Sequence, residues 1–470
     1  MSMQYVASTL PKVARATGPS RTLSRLIADL RDAFRSGRTR PVDWRLQQLE
    51  GLERLLVEHE PAIRAALTAD AGRPALEAYA AEIGHVRSVL ALVKERLESW
   101  NRPERTKTPI LARPGTSRVH REPLGVVLIV AAYSYPFRLA VAPLIGALSA
   151  GNCVVVKPSE VSPAVSSLLA ALLPRYVDST CVKVVEGGGA ETKQLLGERF
   201  DHIHFTGSAT VARVVTAAAA AHLTPVTLEL GGKNPCIVDC EVDLDVAVRR
   251  ICWGKFANAG QSCVAPDYVL VHERVEQRLL KRLAATIREF YGPDPKQSPD
   301  FARIVGVRHF ARVLELLRGG GELVVGGQAD ASDRYIAPTV LRDVPPSAAV
   351  MAEEILGPVL PVLKVRNIED AIEFVESRHK PPILYLFSSN EEVQRRVIEN
   401  TSSGEVCINH VSTQFALPEF AFGGAGERAR QLFETFSNRK RVAKRPTRLE
   451  AKVLYPPYTE RKTKWLKRLT

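Results

Sequence analysis

Two glycine-containing segments, residues 227–233 (Thr-Leu-Glu-Leu-Gly-Gly-Lys) and residues 258–263 (Asn-Ala-Gly-Gln-Ser-Cys), are the most informative part of the sequence. Glu229 and Cys263 stand 34 positions apart, with a hydrophobic, helix-like segment at 244–256 between them. A thiol attacks as its thiolate and needs a base to manage protons, and the glycines of both segments let the backbone approach a ligand closely. The pattern indicates a nucleophile with its base. The alternative is a buried, inert cysteine.

Seven further motifs occur in an order that resembles the class 3 branch of the aldehyde dehydrogenase superfamily, from about residue 30 to about residue 458. They are residues 122–126, 157–160, 222–232, 265–268, 334–339, 353–358 and 433–437. The resemblance implies an α/β protein with a Rossmann-like cofactor domain, an α/β catalytic domain and a small β oligomerisation element. It also implies that Cys263 is the nucleophile, that Glu229 is the general base and that the protein is a homodimer.

The domain boundaries follow from the resemblance and from changes in composition and periodicity along the sequence. We place the cofactor domain at 20–106 and 122–230, the catalytic domain at 231–407, the oligomerisation element at 107–121 and 408–445, and a basic tail at 446–470. Short β-branched runs alternate with helical patterns in both large domains, which predicts parallel, doubly wound sheets. Such sheets bind ligands at the carboxyl ends of their strands. Pro, Gly and Thr among alternating residues at 107–121 predict a β-hairpin.

The cofactor that the resemblance implies is NAD or NADP, and the sequence does not choose between them. The usual GxGxxG fingerprint is absent, but a strand-to-helix turn at 205–208 offers a helix N-terminus that can hold a phosphate. The resemblance assigns seven residues to the cofactor: Lys157 and Glu160 to the adenosine ribose, Gly207 and Ser208 to this turn, Glu354 to the nicotinamide-side ribose, and Gly231 and Leu356 to further contacts.

Three positions depart from the family pattern. Ser134 stands where an asparagine amide donates to the oxyanion. Its hydroxyl reaches roughly 1 Å less far, although oxyanion donors must lie within 2.7–3.1 Å. The backbone N–H of Cys263 remains as the other donor. Ala212 replaces a glycine, and its methyl is expected to narrow the space for the cofactor. The loop at 422–432 is about six residues shorter than in the family, which is expected to reshape the substrate entrance.

Length and composition describe an ordinary globular protein. The 470 residues are enough for two or three domains, and 45% hydrophobic with 24% charged residues is typical of this class. The sequence contains no apolar run of 18 residues, so no membrane-spanning helix is predicted.

Seven cysteines without CxxC spacing favour a reducing, cytoplasmic setting over a disulfide framework. Residues 1–28 lack acidic residues, so a mitochondrial leader is the alternative to a disordered leader or a basic helix.

The positive charge of the chain is concentrated in its last 33 residues. Residues 438–470 contain twelve Lys or Arg against two Glu, so they carry +10 of the net +13. The rest of the chain is nearly neutral, and no nucleic-acid partner is predicted. Trp465, Leu466 and Leu469 stand among these basic residues. The tail is therefore either a solvated end or a peripheral contact with an anionic membrane surface.

These observations predict NAD(P)-dependent oxidation of an apolar, medium- or long-chain or aromatic aldehyde to its acid. Ser134, Ala212 and the short loop at 422–432 motivate an alternative in which the same scaffold reduces a thioester or condenses an aldehyde without redox chemistry. A catalytically silent binding or regulatory dimer is the third hypothesis. His202 and His204 alternate on one strand face, but no third ligand accompanies them, so no metal site is predicted.

Overall fold

The computed structural model describes residues 21–108, 113–318, 320–411, 425–447 and 454–467. Most of the acid-free leader lies outside these ranges, as does the part of the shortened loop before Ala425. Leu469 at the end of the tail is outside them as well. Each of the two large α/β units is built around its own sheet, as the alternation of strand and helix patterns predicts.

The first sheet has five parallel strands, and the strands through its centre are buried on both faces, as expected for β-branched apolar runs. Its order across the sheet is Val182–Val184, Cys153–Lys157, Val126–Val130, His202–Gly207 and Val226–Leu230. The flanking helices are Arg138–Ala150, Pro163–Tyr176, Gly189–Leu196 and Ala209–Ala220. The short apolar run at 153–157 predicts a buried strand, and the structure confirms it with the same bounds.

The second sheet has seven strands, all parallel except for one antiparallel pair at its edge. Its order is Glu322–Val325, Thr339–Arg342, Val359–Val365, Tyr268–His272, Pro235–Val238, Ile383–Phe387 and Glu405–Ile408. Two of these strands contain a proline, which weakens a strand pattern in sequence. The remaining elements of this unit are the helices Leu244–Phe256, Glu276–Tyr291, Val307–Arg318, Ala349–Ala352, Ile368–Glu376 and Glu391–Asn400, the 3-10 turn Ala257–Gly260 and the short strands Ala329–Asp330 and Tyr335–Ile336.

The N-terminal helices cover the first sheet and supply the support beneath one wall of the cavity described below. They are Arg21–Arg35, Val42–Glu58, Glu60–Ala71, Ala75–Ala78 and His85–Asn101. The pattern predicts one continuous helix at 75–98, whereas the structure has a π-helical segment at Tyr79–Gly84 within it. Glu82 lies in that segment and is buried, and its carboxylate pairs with Arg73. A π-helical segment inside a helix frequently marks a functional region.

A third sheet joins the predicted hairpin to the C-terminal part of the chain. Glu104–Thr106, Thr116–Pro123 and Ser437–Lys444 form an antiparallel sheet in that order. The predicted hairpin is present, but its first strand, Glu104–Thr106, lies wholly before residue 107, and its second strand runs to Pro123, two residues past the predicted end. The helix Ala425–Thr435 precedes the last strand and packs against Arg138–Ala150 and His85–Asn101. Part of the segment assigned to oligomerisation thus also completes the core of the cofactor-side unit.

Where the structure describes the basic tail, at 446–447 and 454–467, it contains one short α-helix, Glu460–Leu466, which Thr459 caps by accepting the backbone N–H of Lys462. Trp465 on this helix is exposed. Among the described helices, none has the length and apolar character needed to cross a bilayer.

Candidate active site

One cavity of about 1500 Å³ lies between the two large sheets, and all ten residues predicted to act in the site line it. A typical ligand site occupies about 300–1,000 Å³, so this cavity has room for a large cofactor together with a substrate. The lining includes the three predicted catalytic residues, Ser134, Glu229 and Cys263, and the seven predicted cofactor contacts, Lys157, Glu160, Gly207, Ser208, Gly231, Glu354 and Leu356.

The loop before Cys263 has an unusual backbone. Asn258, Ala259 and Gly260 all have positive φ, at 54°, 51° and 73°. Residues with a Cβ rarely adopt this region, and each such residue costs about 1–3 kcal/mol unless its surroundings hold it there. Strain of this kind concentrates at functional sites, and here it stands a few residues before the predicted nucleophile.

Hydrogen bonds from several elements hold this loop in place. The Asn258 amide donates to the carbonyl oxygens of Ser134 and Gln261, at 2.8 and 2.9 Å. Gln261 donates to the Asn258 and Arg303 carbonyl oxygens, both at 2.9 Å. The Asn234 amide donates to the Cys263 carbonyl at 2.8 Å. The position of the nucleophile is therefore determined by contacts on both sides of it.

A neighbouring loop in the cavity lining carries Ser134, whose backbone is also firmly held. Its carbonyl oxygen accepts from Arg73 at 2.7 Å and from Asn258 at 2.8 Å. Arg73 pairs in turn with buried Glu82, and the other carboxylate oxygen of Glu82 accepts the backbone N–H of Arg138 at 2.7 Å. This network fixes the loop at 132–138 relative to the Cys263 loop.

Burial raises the pKa of the Cys263 thiol to about 12, and the carboxylates of Glu354 and Glu229 add to the increase. The guanidinium of Arg138 and the backbone N–H of Cys263 act in the opposite direction. The resting sulfur is therefore a thiol at neutral pH, and attack on a carbonyl requires that its proton be removed. Attack by Cys263 therefore also requires an acceptor for this proton.

Glu229 occupies the strand Val226–Leu230 at the edge of the first sheet, and its side chain reaches into the cavity. Thr206 on the adjacent strand donates its hydroxyl to Glu229 Oε2 at 3.3 Å. Nε2 of buried His204 lies 3.7 Å from Glu229 Oε1. The predicted base is thus in contact with two polar side chains of one neighbouring strand.

The predicted adenosine end of the cavity is formed by strand ends of the first sheet. Lys157 is buried, and its ammonium contacts Glu160 Oε2 at 3.1 Å and the Pro158 carbonyl at 2.8 Å. Ser208 caps the helix Ala209–Ala220 by accepting the N–H of Val211. The lining also includes Val211 and Val214 from this helix. An apolar slot with a charged pair at its edge fits an adenosine.

The expectation for Ala212 is wrong. Its side chain is 3% exposed and packs in the core with Ile203, Phe205 and Val215. Positions 211 and 214 face the cavity, so the helical period turns 212 inward toward the sheet. The methyl at 212 therefore does not narrow the space for the cofactor.

Glu354 provides a direct test of whether the predicted nicotinamide end of the cavity fits a ribose. Burial and the charge of Asp267 raise the pKa of its carboxyl to about 8, although a hydrogen bond from the Gly232 backbone acts against the increase. Its Oε1 is buried without a hydrogen-bond partner among the described residues. Unpaired buried oxygens are costly, and a ribose hydroxyl would satisfy this one. The residues present therefore fit the nicotinamide-side ribose.

Comparison with known proteins agrees with this geometry. The profile of the aldehyde dehydrogenase family matches residues 7–430. The chain belongs to the aldehyde dehydrogenase family. It is thus an oxidoreductase, and NAD(P)-dependent aldehyde oxidation is the reaction that the match supports.

Two curated members and one solved structure are similar over nearly the whole chain. The dimeric NADP-preferring aldehyde dehydrogenase of Rattus norvegicus is 46% identical over 93% of this chain and 98% of its own. Aldehyde dehydrogenase family 3 member A2 of Macaca fascicularis is 44% identical over 94% and 93%. The substrate-bound state of Staphylococcus aureus AldH has a TM-score of 0.91 and 41% identity over 95% and 99%.

Sequence reasoning missed two residues of this aldehyde dehydrogenase cavity. Arg138 begins the helix Arg138–Ala150 and lines the cavity, with its guanidinium carbon 4.3 Å from the centre of the Tyr135 ring. Arg138 directly follows the segment 132–137, which contains Ser134, and this position in the sequence could have indicated that it lies at the site. Thr206, immediately before Gly207, lines the cavity and contacts Glu229.

Proposed function

We propose that this chain oxidises apolar aldehydes to carboxylic acids with NAD or NADP, through an acyl thioester on Cys263. The observation that carries the proposal is the single cavity in which Cys263 and Glu229 face the residues suited to a nicotinamide nucleotide. The wall nearest the helix Arg138–Ala150 supplies Leu139, Ala142 and Pro143. Such a wall favours an apolar chain on the aldehyde.

The side chains and backbone of this protein perform every step except the acceptance of hydride. Cys263 gives its proton to solvent in the cavity and its sulfur attacks the carbonyl carbon, while Ser134 and the Cys263 backbone N–H face the developing oxyanion. The nicotinamide, when bound, supplies hydride acceptance, which leaves the acyl group as a thioester. Glu229 then takes a proton from water as the water oxygen bonds to the acyl carbon. The carbon–sulfur bond breaks, the acid leaves the cavity, and the Cys263 sulfur takes back a proton from Glu229.

The proposal is tested by following nicotinamide absorbance with aldehydes of increasing chain length and with aromatic aldehydes, each with NAD and with NADP. We expect reduction of at least one nucleotide, and a kcat/KM that rises with the apolar size of the aldehyde. Glu229→Gln should stop turnover after one hydride transfer and leave an acyl adduct on Cys263 that mass spectrometry detects. If no aldehyde reduces either nucleotide, the proposal is wrong.

We propose a homodimer as the functional assembly. The similar rat protein is dimeric by name, and the strand Ser437–Lys444 offers an exposed edge. Within the described residues this strand pairs with Thr116–Pro123 alone. An unpaired edge strand is a ready surface for association. Sedimentation velocity should give about twice the chain mass, and a monomer at micromolar concentration would contradict the assignment.

We propose that the tail 446–470 makes a reversible contact with anionic membrane surfaces from the cytoplasmic side. The short helix Glu460–Leu466 exposes Trp465 beside basic residues, a combination that binds anionic headgroups. All seven cysteines are free, as suits a reducing compartment. The full chain should sediment with phosphatidylserine vesicles, and deletion of 459–470 should abolish this. Equal partitioning of both proteins would refute the contact.

The alternatives of thioester reduction, non-redox condensation and a silent binding dimer are not favoured by the family match. Ser134 remains the feature that motivates them. Cys263 and Glu229 in one cavity serve the ordinary reaction without further assumptions. Calorimetry with NAD and NADP distinguishes a silent homologue that binds no nucleotide from a dehydrogenase.

A further inference from the structure

His204 lies directly behind the predicted general base and has no role in the reaction described above. It occupies the strand His202–Gly207, next to the strand that carries Glu229. Its side chain is 1% exposed, and Nε2 lies 3.7 Å from Glu229 Oε1. The ring also packs against Phe436, with the ring centres 5.7 Å apart. The imidazole is thus enclosed between an aromatic ring and the carboxylate of the base.

Neither ring nitrogen of His204 has a hydrogen-bond partner within the described part of the chain. A neutral imidazole carries one N–H, and a buried donor without an acceptor is unfavourable. The Glu229 carboxylate is the acceptor within reach, and a small rotation of its side chain closes the gap. His202, two residues earlier, differs because its Nε2 already pairs with the Thr227 hydroxyl at 3.0 Å.

We propose that His204 is a positioning residue that donates its Nε2–H to Glu229 Oε1 and, together with Thr206, orients the carboxylate during thioester hydrolysis. Thr206 holds the other oxygen, Oε2, at 3.3 Å. A hydrogen bond to each oxygen fixes the orientation of the carboxylate, and its remaining lone pairs can accept a proton from water in the cavity.

This inference rests on the assignment of Glu229 as the base, and it affects one step of the reaction. Attack by Cys263 and hydride transfer do not use the His204 contact. Removal of the water proton does, because Glu229 must be ionised and correctly aimed when the water attacks. Loss of the contact should therefore slow release of the acid and leave formation of the thioester intact.

The kinetic test compares His204→Leu with His204→Gln, which retains an N–H donor of similar reach. For His204→Leu we expect kcat to fall about tenfold, as for the loss of a hydrogen bond to a charged group. The rapid first turnover of nicotinamide reduction should persist, and KM should not rise. His204→Gln should recover most of the loss. His202→Gln is the matched control on the same strand and should leave the ratio of first turnover to steady state unchanged.

A purely structural role for His204 predicts different results. In that case His204→Leu would leave kcat at the wild-type value, or would lower the first turnover and the steady state together. Either outcome overturns the proposal. So does a His204→Gln variant as slow as His204→Leu while its thermal unfolding matches the wild type.

A measurement that needs no activity separates failure of this inference from failure of the proposed function. In protein with ¹⁵N-labelled histidine, the His204 resonance is identified by its loss in His204→Gln. Glu229→Gln should shift this resonance, whereas the His202 resonance should stay in place. A His204 signal that does not respond to Glu229→Gln overturns the proposal, whatever aldehydes the enzyme oxidises. Inactivity of the wild-type chain toward every aldehyde would instead refute the proposed function.

Discussion

Two neighbouring loops that line the cavity, 258–263 and 132–138, differ in the side chains that they offer to a substrate. The Cys263 loop combines three consecutive residues of positive φ with hydrogen bonds from Asn258, Gln261 and Asn234. The Ser134 loop is equally fixed through its backbone, since Arg73 and Asn258 both hold its carbonyl. Its side chain, however, is a short hydroxyl. The backbone framework of an active site can thus be retained while one of its side chains, here that of Ser134, becomes shorter.

The largest effect should come from the nucleophile itself. Cys263→Ala removes the atom that bonds to the substrate, so kcat should fall by at least about 10⁴-fold, as for other covalent nucleophiles. Nicotinamide absorbance with the best aldehyde measures this change. Calorimetric binding of NAD or NADP should be retained, which shows that the variant is folded. Residual turnover near the wild-type rate would mean that the sulfur is not the nucleophile.

The next effect concerns the rigidity of the nucleophile loop. Gly260 has φ of +73°, and a Cβ there would lie 2.2 Å from the Gly357 carbonyl oxygen. Gly260→Ala must displace the backbone near Cys263, and a misplacement of 1 Å costs about 10²-fold in rate. Stopped-flow measurement of the first turnover tests this prediction.

Gly292 is the matched control for Gly260. It has a similar φ of +77°, but a Cβ there would meet nothing within 4 Å. Gly292→Ala therefore introduces backbone strain at a positive φ without the clash, at a position outside the cavity lining. If both variants lose activity equally, the effect comes from general strain and not from the loop.

The third prediction addresses the weaker loop. Ser134→Asn should raise kcat tenfold or more, because it restores an amide donor to an oxyanion that has lost one, and one such donor accounts for about 10²–10³ in rate. Steady-state kinetics with an apolar aldehyde measure the gain. Ser134→Ala is the companion variant: if it matches the wild type, the hydroxyl contributes nothing to the oxyanion. An unchanged rate in Ser134→Asn would show that the cavity uses a different donor.

The fold was largely predictable because local patterns and global topology agree in the two α/β units. Cys153–Lys157, Ile368–Glu376 and Ile383–Phe387 have the bounds that their apolar periods predict. The strands at 235–238 and 359–365 were harder, because each contains a proline. The π-helical segment at 79–84 has no marker in the periodicity, and the pairing of its buried Glu82 with Arg73 is visible only in the structure.

The site was predictable only through motifs, because its residues come from strands far apart in sequence. Ten residues between 134 and 356 meet in one cavity, and no local pattern states that they do. His204 illustrates the limit. Alternation shows that it shares a strand face with His202, but only the structure shows that one of them satisfies its donor locally and the other faces a carboxylate.

The smallest predicted effect concerns the charge beside the nucleophile. Burial raises the pKa of Cys263 to about 12, and Arg138 acts to lower it. At pH values well below 12, the thiolate fraction of this cysteine rises about tenfold for each unit by which the pH increases. Alkylation of Cys263 by iodoacetamide, followed by mass spectrometry of its peptide, should therefore accelerate steadily from pH 7 to pH 10.

Removing the cation shifts this dependence in a known direction. Arg138→Gln takes away the nearby positive charge that favours the thiolate, so the pKa rises further and alkylation at a fixed pH should slow by roughly threefold. The slope against pH should stay the same, because the same group titrates. Arg249→Gln, at an exposed pair with Glu289, is the control and should alkylate at the wild-type rate. Faster alkylation in Arg138→Gln would mean that the guanidinium shields the sulfur sterically more than it stabilises its charge.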